Sequence, residues 1–302
     1  MEGIMDKTCF ILKKYLERKD YEAIDNLRKL CLEADRTTLK LELEYKLALS
    51  EISGESGNIN EFMCYSGERL VGYAGICHFN GDAMEVNGMV DPEYRRRGIF
   101  KSLFSLVKDE WNKRELPGLL MLSDHNSPSG LGFIGFEGAE YDHTEYEMYL
   151  RGNMGKAPEK GRIVLRKATN SDAREIARQN SVYFGEELKA EDMRMPEDEE
   201  KCGMQIYMAE LDGQVIGKVH LETGKTICGI YGLGIMPEYR GLGYGRETLS
   251  KAVEIMKEAR AQVIMLQVVA TNSNALNLYR SCGFEETSTM DYYRLCKADE
   301  LS

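Results

Sequence analysis

At 302 residues, with 43% apolar and 29% charged side chains and a formal net charge of −11, the chain is long enough for two cores of about 150 residues each. Its acidity argues against nucleic acid or an anionic membrane as partner, because phosphate binding needs a basic face. Eight cysteines show no CxxC pair and no zinc-type spacing with the four histidines, so they read as thiols of a reducing compartment, with no disulfide framework and no metal.

The first residues lack a basic region followed by an apolar stretch, and no run approaches the ~18 apolar residues of a membrane span. The expectation is a cytoplasmic protein, monomer or homodimer, without membrane association.

Taken in order, the first fifty residues read as helices. Ile11, Leu12, Tyr15 and Leu16, then Ile24, Leu27, Leu30 and Cys31, recur at helical spacing. No opening strand is evident there. A polar, Gly-rich stretch from Arg151 to Gly161 reads as a linker. Beyond it a strand is expected around Ile163–Leu165, an N-cap at Asn170-Ser171-Asp172, and helix from Asp172 to Phe184 and on towards Met195.

Strands follow over Gln205–Leu211, Gln214–Glu222 and Ile227–Ile235, the first two joined by the hairpin signal Asp212-Gly213. Then come a helix over Gly243–Arg260, with Leu249, Val253 and Met256 on one face, a strand at Val263–Val269, a helix at Asn274–Cys282 and a last strand at Tyr292–Leu295. This order predicts an α+β fold, a mixed and largely antiparallel sheet flanked by helices.

The chain is internally repeated. Pro92-Glu93-Tyr94-Arg95 and Pro237-Glu238-Tyr239-Arg240 lie 145 residues apart. Gly72 and Gly217, Asn126 and Asn272, and Gly135-Phe136 and Gly283-Phe284 fall close to the same offset. A period this long means two whole domains in tandem. Their expected bounds are 1–152 and 162–302, with 153–161 as linker.

The second copy carries the sharper motif, Arg240-Gly241-Leu242-Gly243-Tyr244-Gly245, between a strand and a helix. Glycines let backbone approach a ligand, and the amides of a helix N-terminus favour an anion. A Walker loop fails because Val219 stands where its first Gly belongs, and a dinucleotide fingerprint fails because Arg246 replaces its third Gly.

The motif, together with Asn272-Ser-Asn-Ala275-Leu-Asn-Leu278-Tyr279-Arg-Ser-Cys-Gly283-Phe284, resembles the GNAT superfamily of acetyl-CoA-dependent N-acetyltransferases. The resemblance spans residues 162–296 and is partial over 60–150. It implies two GNAT-like domains. Turn amides from Arg240 through Gly241, Leu242, Gly243 and Tyr244 to Gly245 would hold the coenzyme diphosphate. The backbone of Leu233 and Ile235 would pair with the pantetheine arm, Asn272 would touch it, and Tyr279 would protonate the leaving thiolate.

The base is open. Glu222 is the leading candidate, with His220 and Tyr231 as alternatives, and none is needed if the amine sheds its proton to water. The acceptor would be the primary amine of a small molecule or peptide. The acidic segment Gly185–Glu200 either attracts a cationic amine or is a solvated face.

The first copy departs from the pattern. Phe100 stands where Gly245 stands in the second, and Phe133 lies at the tyrosine's spacing from Asn126. It reads as a degenerate domain that retains positive charge at Arg95-Arg96-Arg97. The competing reading of the whole chain is a non-catalytic acyl-CoA-binding sensor or interaction module.

Overall fold

In the computed structural model, which describes residues 8–52, 57–79, 83–152, 154, 161–185, 195–201, 203–223 and 227–297, the sequence repeat is a repeat of topology. The chain divides into unit one, residues 1–144 with 289–302, and unit two, residues 145–288.

Unit one is built from β1 (Thr8–Lys13), α1 (Arg18–Asp35), α2 (Leu43–Ile52), β2 (Glu61–Ser66), β3 (Arg69–Cys77), β4 (Ala83–Val90), α3 (Ile99–Lys113), β5 (Gly118–Asp124), α4 (Pro128–Glu137) and the start of β6 (Glu140–Leu150). Strands β1 to β4 are antiparallel neighbours, and β4 pairs with β5 in parallel. All seven residues of β5 are buried. An interior strand needs partners on both edges for its backbone groups. The second partner comes from the far end of the chain: residues 290–296 of β12 (Phe284–Cys296) pair antiparallel with β5.

Unit two repeats the plan with β7 (Ile163–Lys167), α5 (Ala173–Phe184), α6 (Pro196–Lys201), β8 (Met204–Leu211), β9 (Gln214–Thr223), β10 (Ile227–Ile235), α7 (Tyr244–Glu258), β11 (Val263–Val269) and α8 (Ser273–Ser281). β7 to β10 are antiparallel and β10 pairs with β11 in parallel. The other edge of β11 is covered by Glu145–Tyr149 of β6. Met148 and Tyr292, the anchors of these two closing strands, are 0% and 1% exposed.

Each sheet is therefore completed by a strand from the other half of the sequence. The expected bounds 1–152 and 162–302 do not coincide with the units. Of the expected linker 153–161, only Met154 and Gly161 are among the described residues.

The opening of the chain corrects a second expectation. Residues 8–13 are a strand, paired one for one with β2. Ile11 and Leu12 are 40% and 42% exposed, as suits an edge. The helical spacing across 11–16 was produced by a strand joining a helix. Helix α1 does follow the predicted stripe: Ile24, Leu27 and Cys31 are buried while Leu30 faces out, and each buried apolar side chain contributes about 1.5–3 kcal/mol.

The join of β1 to α1 matches the join of β7 to α5. In unit one Lys13 pairs with Asp20 at 2.7 Å, and the Glu17 amide donates to Asp20 at 2.9 Å. In unit two Arg166 grips Asp172 with two nitrogens at 2.9 and 3.0 Å, and the Thr169 amide donates to Asp172 at 2.8 Å. Thr169, one residue before the expected N-cap, closes this capping box.

Candidate active site

In unit two, β10 ends at Ile235 and the chain turns through Pro237–Tyr239 into α7. Gly241 and Gly243 have φ of 75° and 88°, in the left-handed region that disfavours a side chain. A Cβ at either would meet nothing within 4 Å, so the space above the turn is open. The first-turn amides of α7 have no acceptor within their helix, and the dipole adds positive potential. Open backbone donors beside glycines suit a diphosphate.

Arg240 does a different task from the amides after it. Its own amide donates to the Pro237 carbonyl at 3.2 Å and its Nε to the Ile235 carbonyl at 2.8 Å. The side chain thus ties the turn to the strand end.

Pairing of β10 with β11 runs only from Ile227↔Val263 to Ile230↔Leu266. A register shift against β9 between Tyr231 and Gly234, with Gly232 at φ 53°, marks a bulge there. The strands diverge beyond it. Met236 donates its amide to Ile216 of β9, so by strand alternation the backbone groups of Ile235 face the diverging edge. Leu233 packs on the core under α7.

The opposite face of this sheet carries Lys218, His220, Tyr231 and Glu222, covered near the bulge by α5. The ring of Tyr183 lies against Gly234, where a Cβ would be 2.1 Å from it. Lys218 is fully buried and lies 3.0 Å from His220 Nε2 and 3.3 Å from the Gly232 carbonyl. Burial first, and the Lys218 charge second, hold the His220 imidazole well below its usual range, so it is neutral at pH 7.

Glu222 lies on the same face as His220 and Tyr231. It sits opposite Gly229, near the start of β10. His220, opposite Tyr231, is the side chain beside the bulge. Tyr231 leans back over Gly229, with its hydroxyl 3.7 Å from Met265 Sδ.

Helix α8 begins at Asn272, whose side chain accepts from the Ala275 amide at 3.2 Å. This cap fixes the direction in which α8 leaves the strand. Tyr279, two turns on, is 7% exposed and packs on Phe284, ring centroids 6.2 Å apart. Its hydroxyl makes no hydrogen bond among the described residues. Burial pushes the phenol up to about 12. It stays protonated at any physiological pH, as a proton donor must.

Unit one repeats the turn in detail. Arg95 Nε donates to the Val90 carbonyl at 3.0 Å, the Asp91 amide donates to Val71, and Gly98 at φ 80° precedes α3. Arg96 takes the left-handed conformation, φ 63°, that Gly241 has in unit two. Pairing of β4 with β5 stops at Val86↔Met121. A cavity of about 660 Å³ opens there, lined by Asn87, Gly88, Arg95, Gly98, Phe100 and Phe133 among others. Phe100 lies over Gly88 and meets Phe133 edge-on at 4.8 Å, so it lines the space without filling it. Counted from the helix caps Ser127 and Asn272, the residue in Tyr279's place is Ile134, a position the sequence spacing had given to Phe133.

The acidic segment expected near the acceptor lies, over 186–194, outside the described residues. Among the described residues no group of three or more His, Cys, Asp or Glu side chains forms a candidate metal site. The seven described cysteines are free, and no described helix is long and apolar enough to cross a membrane.

A mixed sheet that diverges beside a glycine turn and a helix N-terminus defines an acyl-CoA-dependent transferase fold. Residues 172–284 match the Acetyltransferase (GNAT) family, so the chain carries a GNAT acetyltransferase domain, whose family uses acetyl-CoA.

The chain is 24% identical over 241 residues to a mycothiol acetyltransferase of Stackebrandtia nassauensis, covering 74% of this chain and 79% of that one. In fold it is similar to a GCN5-related N-acetyltransferase from Sphaerobacter thermophilus (TM-score 0.75, 18% identity, 95% of each chain). It is also similar to a tandem GNAT protein from the clavulanic acid biosynthesis pathway (TM-score 0.71, 17% identity, 96% of this chain and 98% of that one).

Proposed function

We propose that unit two transfers the acetyl group of acetyl-CoA to the primary amine of a small-molecule or peptide acceptor by direct attack. The observation that carries this reading is the coincidence, at one end of β10, of the open glycine turn, the bulge and the divergence from β11. In this reading the amides after Arg240 bind the diphosphate. The diverging edge at Leu233 and Ile235, whose Ile235 carbonyl also accepts from Arg240 Nε, aligns the pantetheine arm, and Tyr279 hands its proton to the leaving thiolate. Holding amine and thioester in register supplies much of the rate.

His220 does not serve as base. Lys218 Nζ lies 3.0 Å from its Nε2, and donation there uses the single lone pair of the neutral ring. The amine then loses its proton to water before or during attack.

The test is thiol release from acetyl-CoA with a panel of amines, comparing the intact chain with Y279F. Turnover that falls while coenzyme affinity holds supports the reading. Equal turnover removes Tyr279 from the chemistry. A small-molecule acceptor is supported by the similarity to a protein named mycothiol acetyltransferase.

For unit one a binding reading is favoured. The cavity beside its turn is formed, but Ile134 in the tyrosine's place has no proton to give. Unit one then retains coenzyme without turning it over. Equilibrium titration of the intact protein should find two coenzyme sites, and one site would refute retention.

A further inference from the structure

The two equivalent arginines end differently. In unit one Arg95 spends Nε on the Val90 carbonyl, and its two terminal nitrogens close on the Asp35 carboxylate at 2.7 and 2.6 Å. Asp35 is the last residue of α1, followed by the left-handed cap Arg36, and both members of the pair line the cavity. In unit two Arg240 spends Nε on the Ile235 carbonyl in the same way. Its terminal nitrogens meet no carboxylate among the described residues.

The reason lies in the matching helix. α5 ends at Phe184, followed by the left-handed cap Gly185. The last residue of α5 is thus a phenylalanine, 57% exposed, where the last residue of α1 is an aspartate. Two basic side chains flank these rings: Arg240 lies 5.9 Å from the Tyr183 ring centre, and the buried Lys218 Nζ 5.7 and 5.8 Å from those of Tyr183 and Phe184, with Glu175 and Glu238 also acting on Tyr183.

We infer that the acceptor of unit two carries a carboxylate as well as its amine, as an α-amino acid does, and that this carboxylate takes on the Arg240 fork the place that Asp35 fills on Arg95. A guanidinium whose fork is free recognises a planar carboxylate with two parallel hydrogen bonds. The flanking rings of Tyr183 and Phe184 provide an apolar wall for the rest of the molecule. In unit one the fork is already filled from within, which fits Ile134 standing in the tyrosine's place there. The inference rests on the reading that unit two is the catalytic one.

The test uses the intact chain, acetyl-CoA, and matched acceptors: each common L-amino acid, its carboxamide and its decarboxylated amine. In at least one series the acid should be preferred by about tenfold or more in kcat/KM. R240Q should bring the ratio of acid to amine close to one, whatever it does to the common rate. F184D, which gives α5 the terminal carboxylate that α1 has, should raise KM for the acid and not for its amine. Equal use of acid and amine in every series, or an unchanged ratio in R240Q, would overturn the inference.

Should nothing be turned over, the transfer reading fails, and calorimetric titration of the N-acetyl amino acids against their amides with coenzyme A present still decides. Carboxylate-dependent binding lost in R240Q sustains the site, and binding indifferent to the carboxylate refutes it.

Discussion

Arg95 and Arg240 perform the same backbone task, 145 residues apart, at two sites that are otherwise unlike. After Arg240 come two glycines in left-handed conformations, then Gly245 in the first turn of α7. After Arg95 the left-handed positions are Arg96 and Gly98, and α3 begins with Ile99 and Phe100. Strand β10 is bulged against β9, whereas β4 runs against β3 without a register shift. One helix offers Tyr279 and the other Ile134. The strand order, the arginine tie and the glycine before the helix are repeated in both copies, while the bulge and the buried tyrosine stand in one. On the proposed reading, cleft and catalysis are separable properties of this fold.

The sharpest way to probe the comparison is through the closing strands. M148A should cost about 2–5 kcal/mol and Y292A about 3–5. Although Met148 lies in the first half of the sequence, M148A should lower the temperature at which turnover is lost. Y292A should instead lower the midpoint of Trp111 fluorescence, which reports unit one alone because Trp111 is the single tryptophan. The reverse assignment would break the division into units.

The glycine turns come next. G243V forces a side chain into the left-handed region and over the open turn, and KM for acetyl-CoA should rise about a hundredfold. G98V carries the same strain of about 1–2 kcal/mol but should change turnover about twofold or less. Equal losses would remove the distinction between the copies.

Y279F should lower turnover by one to three orders, with coenzyme affinity retained. It has a second signature. The folded phenol is raised to about 12 against about 10 in the unfolded chain. The folded state keeps this proton longer, so stability present below pH 10 is lost as pH rises from 10 towards 12, by up to about 3 kcal/mol. Denaturation midpoints across that range should fall less in Y279F.

The smallest effect concerns the β7–α5 join. Arg166 leads the contacts that hold Asp172 at about 2, so its stabilisation is present above about pH 4 and disappears as pH falls through 2. Solvent screening limits it to about 1 kcal/mol. D172N should flatten the acid limb by that amount, and an unchanged limb would make the capping box irrelevant to stability.

Much of unit two was legible along the chain because its signals are local. The β10 and β11 limits were read to the residue, since apolar runs ended by turn residues need no tertiary information. The Arg240–Gly245 turn was visible for the same reason. The opening strand of unit one was not, because six residues of β1 acquire their conformation from the edge that β2 presents. Its repeat relation to β7 was hidden as well. Lys13 and Asp20 lie about seven residues out of the register that aligns the PEYR tetrapeptides.

The sequence alone determined the duplication, the mixed sheet and the glycine turn, since backbone conformational preference and hydrophobic period act over a few neighbouring residues. Which strand completes each sheet, that Glu222 pairs with Gly229 and His220 with Tyr231, and that the Arg95 fork closes on Asp35 while that of Arg240 meets no described carboxylate were decided by tertiary structure. Pairing and burial join residues a hundred or more positions apart, and no local pattern encodes a partner at that distance.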